Sequence, residues 1–122
     1  MTHKVFVYGT LKAGSVIRGM DKFPTAKLHG EAMTTEPEFD MVSLGAFPAA
    51  KLSGNNRIMG EVWNVDDAVF EALDWIEGYP DFYSRTEVTT TLGTAWMYYL
   101  PDVERYNHEK IKPIMEGVVE WI

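Results

Sequence analysis

The sequence predicts an α+β fold in which many short strands accompany one helix. Apolar, β-branched and aromatic runs recur along the chain, and glycine, proline or an Asn/Asp cluster closes each of them. Only one segment, Asp66 to Gly78, joins a helix-period apolar stripe to both a start and a stop signal. Strands this numerous and short do not suit a doubly wound sheet. Closing them into a small mixed-strand β-barrel removes their exposed edges, and that barrel is the expected architecture.

The elements follow in order. Lys4 to Tyr8 is a short apolar run rich in β-formers and reads as a buried strand ending at Gly9. Residues 26–35 form a second strand in which Gly30 marks a bend. Phe39 to Ser43 and Ala49 to Leu52 are short strands around Gly45 and Pro48, and Ser53 to Asn56 is a turn by composition. Arg57 to Val65 is a strand broken by Gly60. Asp66 and Asp67 cap a helix that runs to about Glu77, where Gly78 stops it and Pro80 prevents continuation. Arg85 to Thr91 and Thr94 to Leu100 form a hairpin around Leu92 and Gly93. The tail is expected to hold a short helix and a last strand, residues 117–122.

Composition bounds the rest. The 122 residues suit a single domain spanning 1–122, and a 46% hydrophobic, 13% aromatic chain has enough apolar surface for a core. With 11 basic against 18 acidic residues the net charge is −7, so no dense basic face exists for nucleic acid. Cysteine is absent, which removes disulfides, thiolate metal sites and cysteine nucleophiles and fits a reducing compartment. No apolar run reaches the roughly 20 residues of a membrane span, and the opening MTHKVFVYG does not read as a signal peptide. A cytoplasmic monomer with no membrane and no nucleic-acid partner is the expectation.

Several chemistries can be weighed against plain structure. Gly9 to Gly14 follows a strand as a phosphate-binding loop does, but Ser15 and Val16 stand where that loop needs its lysine. A tight turn, or an anion nest of backbone N–H groups, is the better reading. His3, His29 and His108 have no ligand spacing, so no metal is expected, and no serine sits in a nucleophile elbow.

Glu77 is the anomaly. At about 100° per residue, Val69, Phe70, Leu73 and Ile76 share one stripe, and Glu77 falls inside it. Glu71 points to water beside Trp75. A carboxylate at a helix C-terminus is unfavourable by a few tenths to about 1 kcal/mol even when exposed, and by more when buried. The position is either a frayed, solvated helix end or a functional acid. Tyr8, Tyr79, Phe82 and Tyr83 are either core or an aromatic wall near it, and Arg85 is either a surface ion or the partner of a buried acid.

Read together, VFVYGTLKAG (5–14), GAFPA (45–49), GEVWNV (60–65), ALDWIEGYPDFYSRTEV (72–88) and AWMYYL (95–100) resemble the gamma-glutamylcyclotransferase-like family. The likeness is to its branch of AIG2-like proteins and gamma-glutamylamine cyclotransferase, and it runs along most of the chain. It implies a small barrel with helices packed outside and a cavity where the YGTL loop meets the glutamate of LDxxE. Carried over by position, Glu77 is the general acid/base and Tyr8, Gly9, Thr10 and Leu11 form the substrate loop, with Tyr83 and Arg85 as further substrate-binding candidates. Family members release 5-oxoproline and a free amine from a γ-glutamyl compound without metal or cofactor. A carboxylate whose pKa is raised by partial desolvation suits that chemistry, because the substrate's α-ammonium must lose a proton before it attacks. The alternative is a non-catalytic module that binds a small metabolite on the same scaffold. It would need the loop but not the base.

Overall fold

The computed structural model describes residues 2–12 and 19–121. Gly14, Ser15 and Val16, on which the phosphate-loop comparison turned, lie outside the described residues. The strands are β1 (Thr2–Val7), β2 (Lys27–Met33), β3 (Phe39–Ser43), β4 (Pro48–Asp66), β5 (Ser84–Thr90), β6 (Gly93–Tyr99), β7 (Glu109–Lys110) and β8 (Val118–Val119). One α-helix, α1 (Asp67–Glu77), follows β4, and two 3₁₀ turns complete the described elements.

β1 is central. It runs antiparallel to β4, from Thr2 opposite Asp66 to Val7 opposite Glu61, and parallel to β6, with Val5 opposite Trp96. Alternate residues of a strand face opposite sides of the sheet. Val5 and Val7 join Val69, Phe70 and Leu73 of α1 in one apolar cluster, while Phe6 packs with Met41, Ile58 and Met97 in a second. Burial on both faces is why this strand reads as a continuous apolar run rather than an alternation.

β4 organises the remainder. Its first part pairs with β3, its middle with β8, and its last part lies between β1 and β2. The 19-residue strand merges what the sequence divides into two strands and a turn. Ser53 to Asn56 does not end the strand; the pairing with β3 shifts register there, from Lys51 opposite Asp40 to Asn56 opposite Phe39. Gly60 does not break it either. A Cβ at that position would stand 2.4 Å from the Val7 carbonyl oxygen, so the glycine answers a close approach between neighbouring strands. The expected shift at Gly30 is present, since the β2–β4 register changes between Leu28 and Gly30.

Among the described residues the sheet does not close into the expected barrel. The strand path runs β5-β6-β1-β4-β3-β7, with β2 and β8 attached to β4, and it stays open. The far ends of β2 and β5 approach each other, but among the described residues a single isolated bridge, Thr34 to Thr90, joins them. A ladder needs successive pairs, and these strands meet only at their tips. The hairpin formed by β5 and β6 pairs from Ser84 opposite Tyr99 to Thr90 opposite Gly93, as expected. The tail contains no α-helix among its described residues, only a 3₁₀ turn and two two-residue strands.

Helix α1 starts and stops where the sequence says. The Asp66 carboxylate accepts the Val69 N–H at 2.8 Å, which together with Thr25 holds its pKa below the usual carboxylate range. Gly78 takes a left-handed conformation with φ of 69°, and its N–H reaches the Asp74 and Trp75 carbonyls. No helix among the described residues is long and apolar enough to cross a membrane.

Candidate active site

After Val7 the chain leaves the sheet in a tight turn, closed by the Lys12 N–H donating to the Gly9 carbonyl at 3.1 Å. Gly9 is needed here for space, since an added Cβ would meet the Pro48 ring at 2.8 Å. Tyr8 anchors the turn from below. Its buried hydroxyl donates to the Tyr98 carbonyl and accepts the Ala50 N–H, each at 2.8 Å. One phenol therefore ties together the end of β1, the start of β4 and the end of β6. Burial raises the Tyr8 pKa well above the ordinary phenol value, and Tyr83 and the charge of Glu77 add to the rise.

Helix α1 delivers Glu77 to the same place. Val69, Phe70 and Leu73 are buried beneath the helix, Glu77 is half-buried in its last turn, and Glu71 and Trp75 are exposed on the outer side. The chain then turns at Gly78, passes through a cis Tyr79–Pro80 peptide and returns. The Tyr83 N–H donates to the Glu77 carbonyl at 3.2 Å, and the Tyr83 hydroxyl donates to the Pro48 carbonyl at 2.8 Å.

These segments border one cleft. The turn from Tyr8 to Leu11 and Glu77 both line it, along with Phe6, Val7, Phe47, Pro48, Tyr83 and Tyr98. Glu77 is distant in sequence from Gly9, yet the two border one space. Phe82 supports the wall from outside, edge-on to Phe47 and to Tyr83.

Arg85 is placed differently from the other sequence-derived candidates. It is not among the residues that line the cleft. Its Nε donates to Asp74 Oδ1 at 2.8 Å and a terminal nitrogen to Asp74 Oδ2 at 3.2 Å, a forked pair. The guanidinium lies 4.4–4.8 Å from the ring centres of Phe70, Tyr79 and Trp96. The sequence left open a surface ion or the partner of a buried acid; Arg85 does pair with an acid, but Asp74 is half-buried rather than buried. Tyr79 belongs to this clamp and is not among the cleft-lining residues.

Tyr98, Phe47 and Pro48 were not singled out as site residues from the sequence. Two of them sit in the GAFPA stretch and one in AWMYYL, so the segments were visible but the register that brings these residues to the cleft was not. The Tyr98 hydroxyl donates to Asp74 Oδ1 at 2.6 Å. Burial raises its pKa, and the bond to Asp74 and the negative charges of Asp74 and Glu77 raise it further.

The histidines stand apart. His3 contacts Asp67 at 2.6 Å, His108 contacts the Tyr106 carbonyl at 2.8 Å, and His29 is exposed. Among the described residues no three His, Asp or Glu side chains cluster so as to hold a metal ion.

Comparison with known proteins gives a consistent result. The model of the family described as "Gamma-glutamyl cyclotransferase, AIG2-like" matches residues 5–119. A Vibrio cholerae protein provisionally named a gamma-glutamylcyclotransferase is 36% identical over 105 residues, covering 86% of this chain and 88% of its own. The gamma-glutamylcyclotransferase family protein YtfP of Escherichia coli is 33% identical over 96 residues, covering 78% of this chain and 80% of its own. Among solved structures, a mouse AIG2-like protein superposes with a TM-score of 0.69 at 22% identity, covering 99% of this chain and 96% of its own, which speaks to the fold.

Proposed function

From the premise that this chain belongs to the gamma-glutamyl cyclotransferase, AIG2-like family, we propose that it converts a γ-glutamyl compound into 5-oxoproline and a free amine, with Glu77 as general base and then acid. The observation that carries this reading is the shared cleft, which Glu77 and the turn of Tyr8 to Leu11 line together. In such a substrate the nucleophile is internal. Glu77 takes a proton from the α-ammonium, and the freed amine attacks the γ-carbonyl carbon. A new C–N bond closes the five-membered ring and the carbonyl oxygen becomes an oxyanion. The oxyanion collapses, the bond to the departing nitrogen breaks, and Glu77 passes protons from the ring nitrogen to the departing amine, which leaves as an ammonium.

The backbone N–H groups of the Gly9–Leu11 turn are the groups assigned to the oxyanion or to the substrate α-carboxylate. Tyr8 serves beneath them as the rivet that fixes the turn. Because attack is intramolecular, holding the substrate folded supplies much of the acceleration.

The test is incubation with a panel of γ-glutamyl amino acids and γ-glutamyl amines, with 5-oxoproline read by mass spectrometry. Formation from at least one compound, undiminished by exhaustive chelation, is the expected result. A panel that yields no 5-oxoproline rejects the reading.

A further inference from the structure

One arrangement beside the cleft has no part in the mechanism above. Tyr98 lines the cleft, and its hydroxyl is bonded to Asp74 at 2.6 Å. Asp74 sits on α1 three residues before Glu77, and both of its oxygens receive Arg85. Asp74 thus accepts from Arg85 and from Tyr98 alike. The hydrogen in the Tyr98–Asp74 bond therefore belongs to Tyr98. Tyr98 cannot use the same hydrogen to donate to Glu77 or to a substrate oxygen. What remains on the phenol oxygen is acceptor capacity, and the charge of Glu77 reaches this hydroxyl. An acceptor next to a carboxylate is a poor place for an anion and a suitable one for a cation.

The clamp is built to last. The side chains of Arg85 and Asp74 are only 19% and 23% exposed, and three aromatic rings surround the guanidinium. Phe70 and Trp96 come from elements on either side of Arg85, so the hydroxyl of Tyr98 is fixed by the packing of α1, β5 and β6 together.

We propose that Asp74 and Arg85 are positioning residues that turn the Tyr98 proton away from the cleft, so that the Tyr98 oxygen accepts a hydrogen bond from the substrate α-ammonium beside Glu77. This deepens the γ-glutamyl reading and rests on it. It names a second group that recognises the amine, and it gives the acceptor behind the phenol a purpose.

The test uses two ligands in the Glu77→Gln protein, where turnover is suppressed. One is a γ-glutamyl amide; the other is the matching glutaryl amide, which lacks only the α-amine. Calorimetry then compares Tyr98→Phe with its parent. The γ-glutamyl ligand is expected to bind about tenfold more weakly, the scale of one lost hydrogen bond to a charged group, and the glutaryl ligand nearly as before. Asp74→Asn and Arg85→Lys, with folding checked by circular dichroism, are expected to reproduce that selective loss in part. Equal weakening of both ligands by Tyr98→Phe marks a purely structural tyrosine and overturns the proposal, as does no weakening of either. Loss in Tyr98→Phe without any in Asp74→Asn and Arg85→Lys overturns the positioning role. If wild-type protein makes 5-oxoproline but Tyr98→Phe fails to discriminate, this inference alone falls. If no 5-oxoproline forms and neither ligand binds, the γ-glutamyl reading falls and takes this inference with it.

Discussion

The clamp side and the cleft side of helix α1 each hold a carboxylate, one turn apart, and the two have different surroundings. Asp74 receives the fork of Arg85 and the hydroxyl of Tyr98, behind a screen of aromatic rings. Glu77 borders the cleft together with the Tyr8–Leu11 turn. A carboxylate held by a guanidinium and a phenol is fixed in charge and position and serves the scaffold. One that borders a cleft sheltered by aromatic walls is placed to meet a ligand. The difference is one of neighbours, since the two side chains carry the same functional group.

The comparison breaks first at Glu77. Glu77→Gln keeps the shape and removes the base, so turnover is expected to fall by about two to four orders of magnitude, while 5-oxoproline binding changes much less. Thermal melting should hold or rise slightly, because a carboxylate in an apolar stripe is costly and its amide isostere less so. Near-normal turnover would remove Glu77 from the mechanism. Loss of activity through unfolding would make it structural.

Asp74→Ala tests the other side. It leaves Arg85 charged among aromatic rings and frees the Tyr98 hydroxyl, so a loss of about 2–4 kcal/mol in chemical denaturation is expected, below the range for a fully buried pair because these side chains keep some solvent contact. A change under 0.5 kcal/mol would show that the clamp carries little stability.

Tyr8→Phe asks whether the turn depends on its rivet. The Ala50 N–H and the Tyr98 carbonyl would lose their buried partner, at about 1–3 kcal/mol in the same denaturation experiment. Gly78→Ala perturbs the point where the helix hands Glu77 to the cleft. With φ at 69°, a side chain there should cost about 1–2 kcal/mol. Glu71→Gln, on the exposed face of α1, is the control, and both turnover and melting should stay within about 0.5 kcal/mol of wild type.

Helix α1 was legible end to end. Its cap, its stripe and its stop are local chemistry, written in Asp66, in the spacing of Val69, Phe70 and Leu73, and in Gly78. The β5–β6 hairpin was legible for the same reason, since Thr90 and Gly93 bracket a short turn between alternating strands. The anomaly of Glu77 was legible too, because a helix wheel needs no tertiary information. The YGTL and LDxxEGYP motifs pointed to one family, and comparison with known proteins agrees.

The length of β4 was not legible. Gly60 looks like a breaker until the Val7 carbonyl is seen pressing against it, and Ser53 to Asn56 looks like a turn until β3 is seen pairing with Lys51 before it and with Asn56 at its end. The barrel failed on the same ground: whether β2 and β5 zip together or touch at one bridge depends on twist and pairing across the whole sheet. Arg85 could be assigned a charge but not a partner, and Tyr98 a strand but not a facing. By itself the sequence determined the residue types, the helix that carries Glu77 and the turn that follows Tyr8, because those are set by interactions within a few residues. Only the tertiary structure decided that Glu77 and Gly9 share a cleft while Asp74 and Arg85 close a clamp beside it, because strand register and long-range packing fix which distant side chains meet.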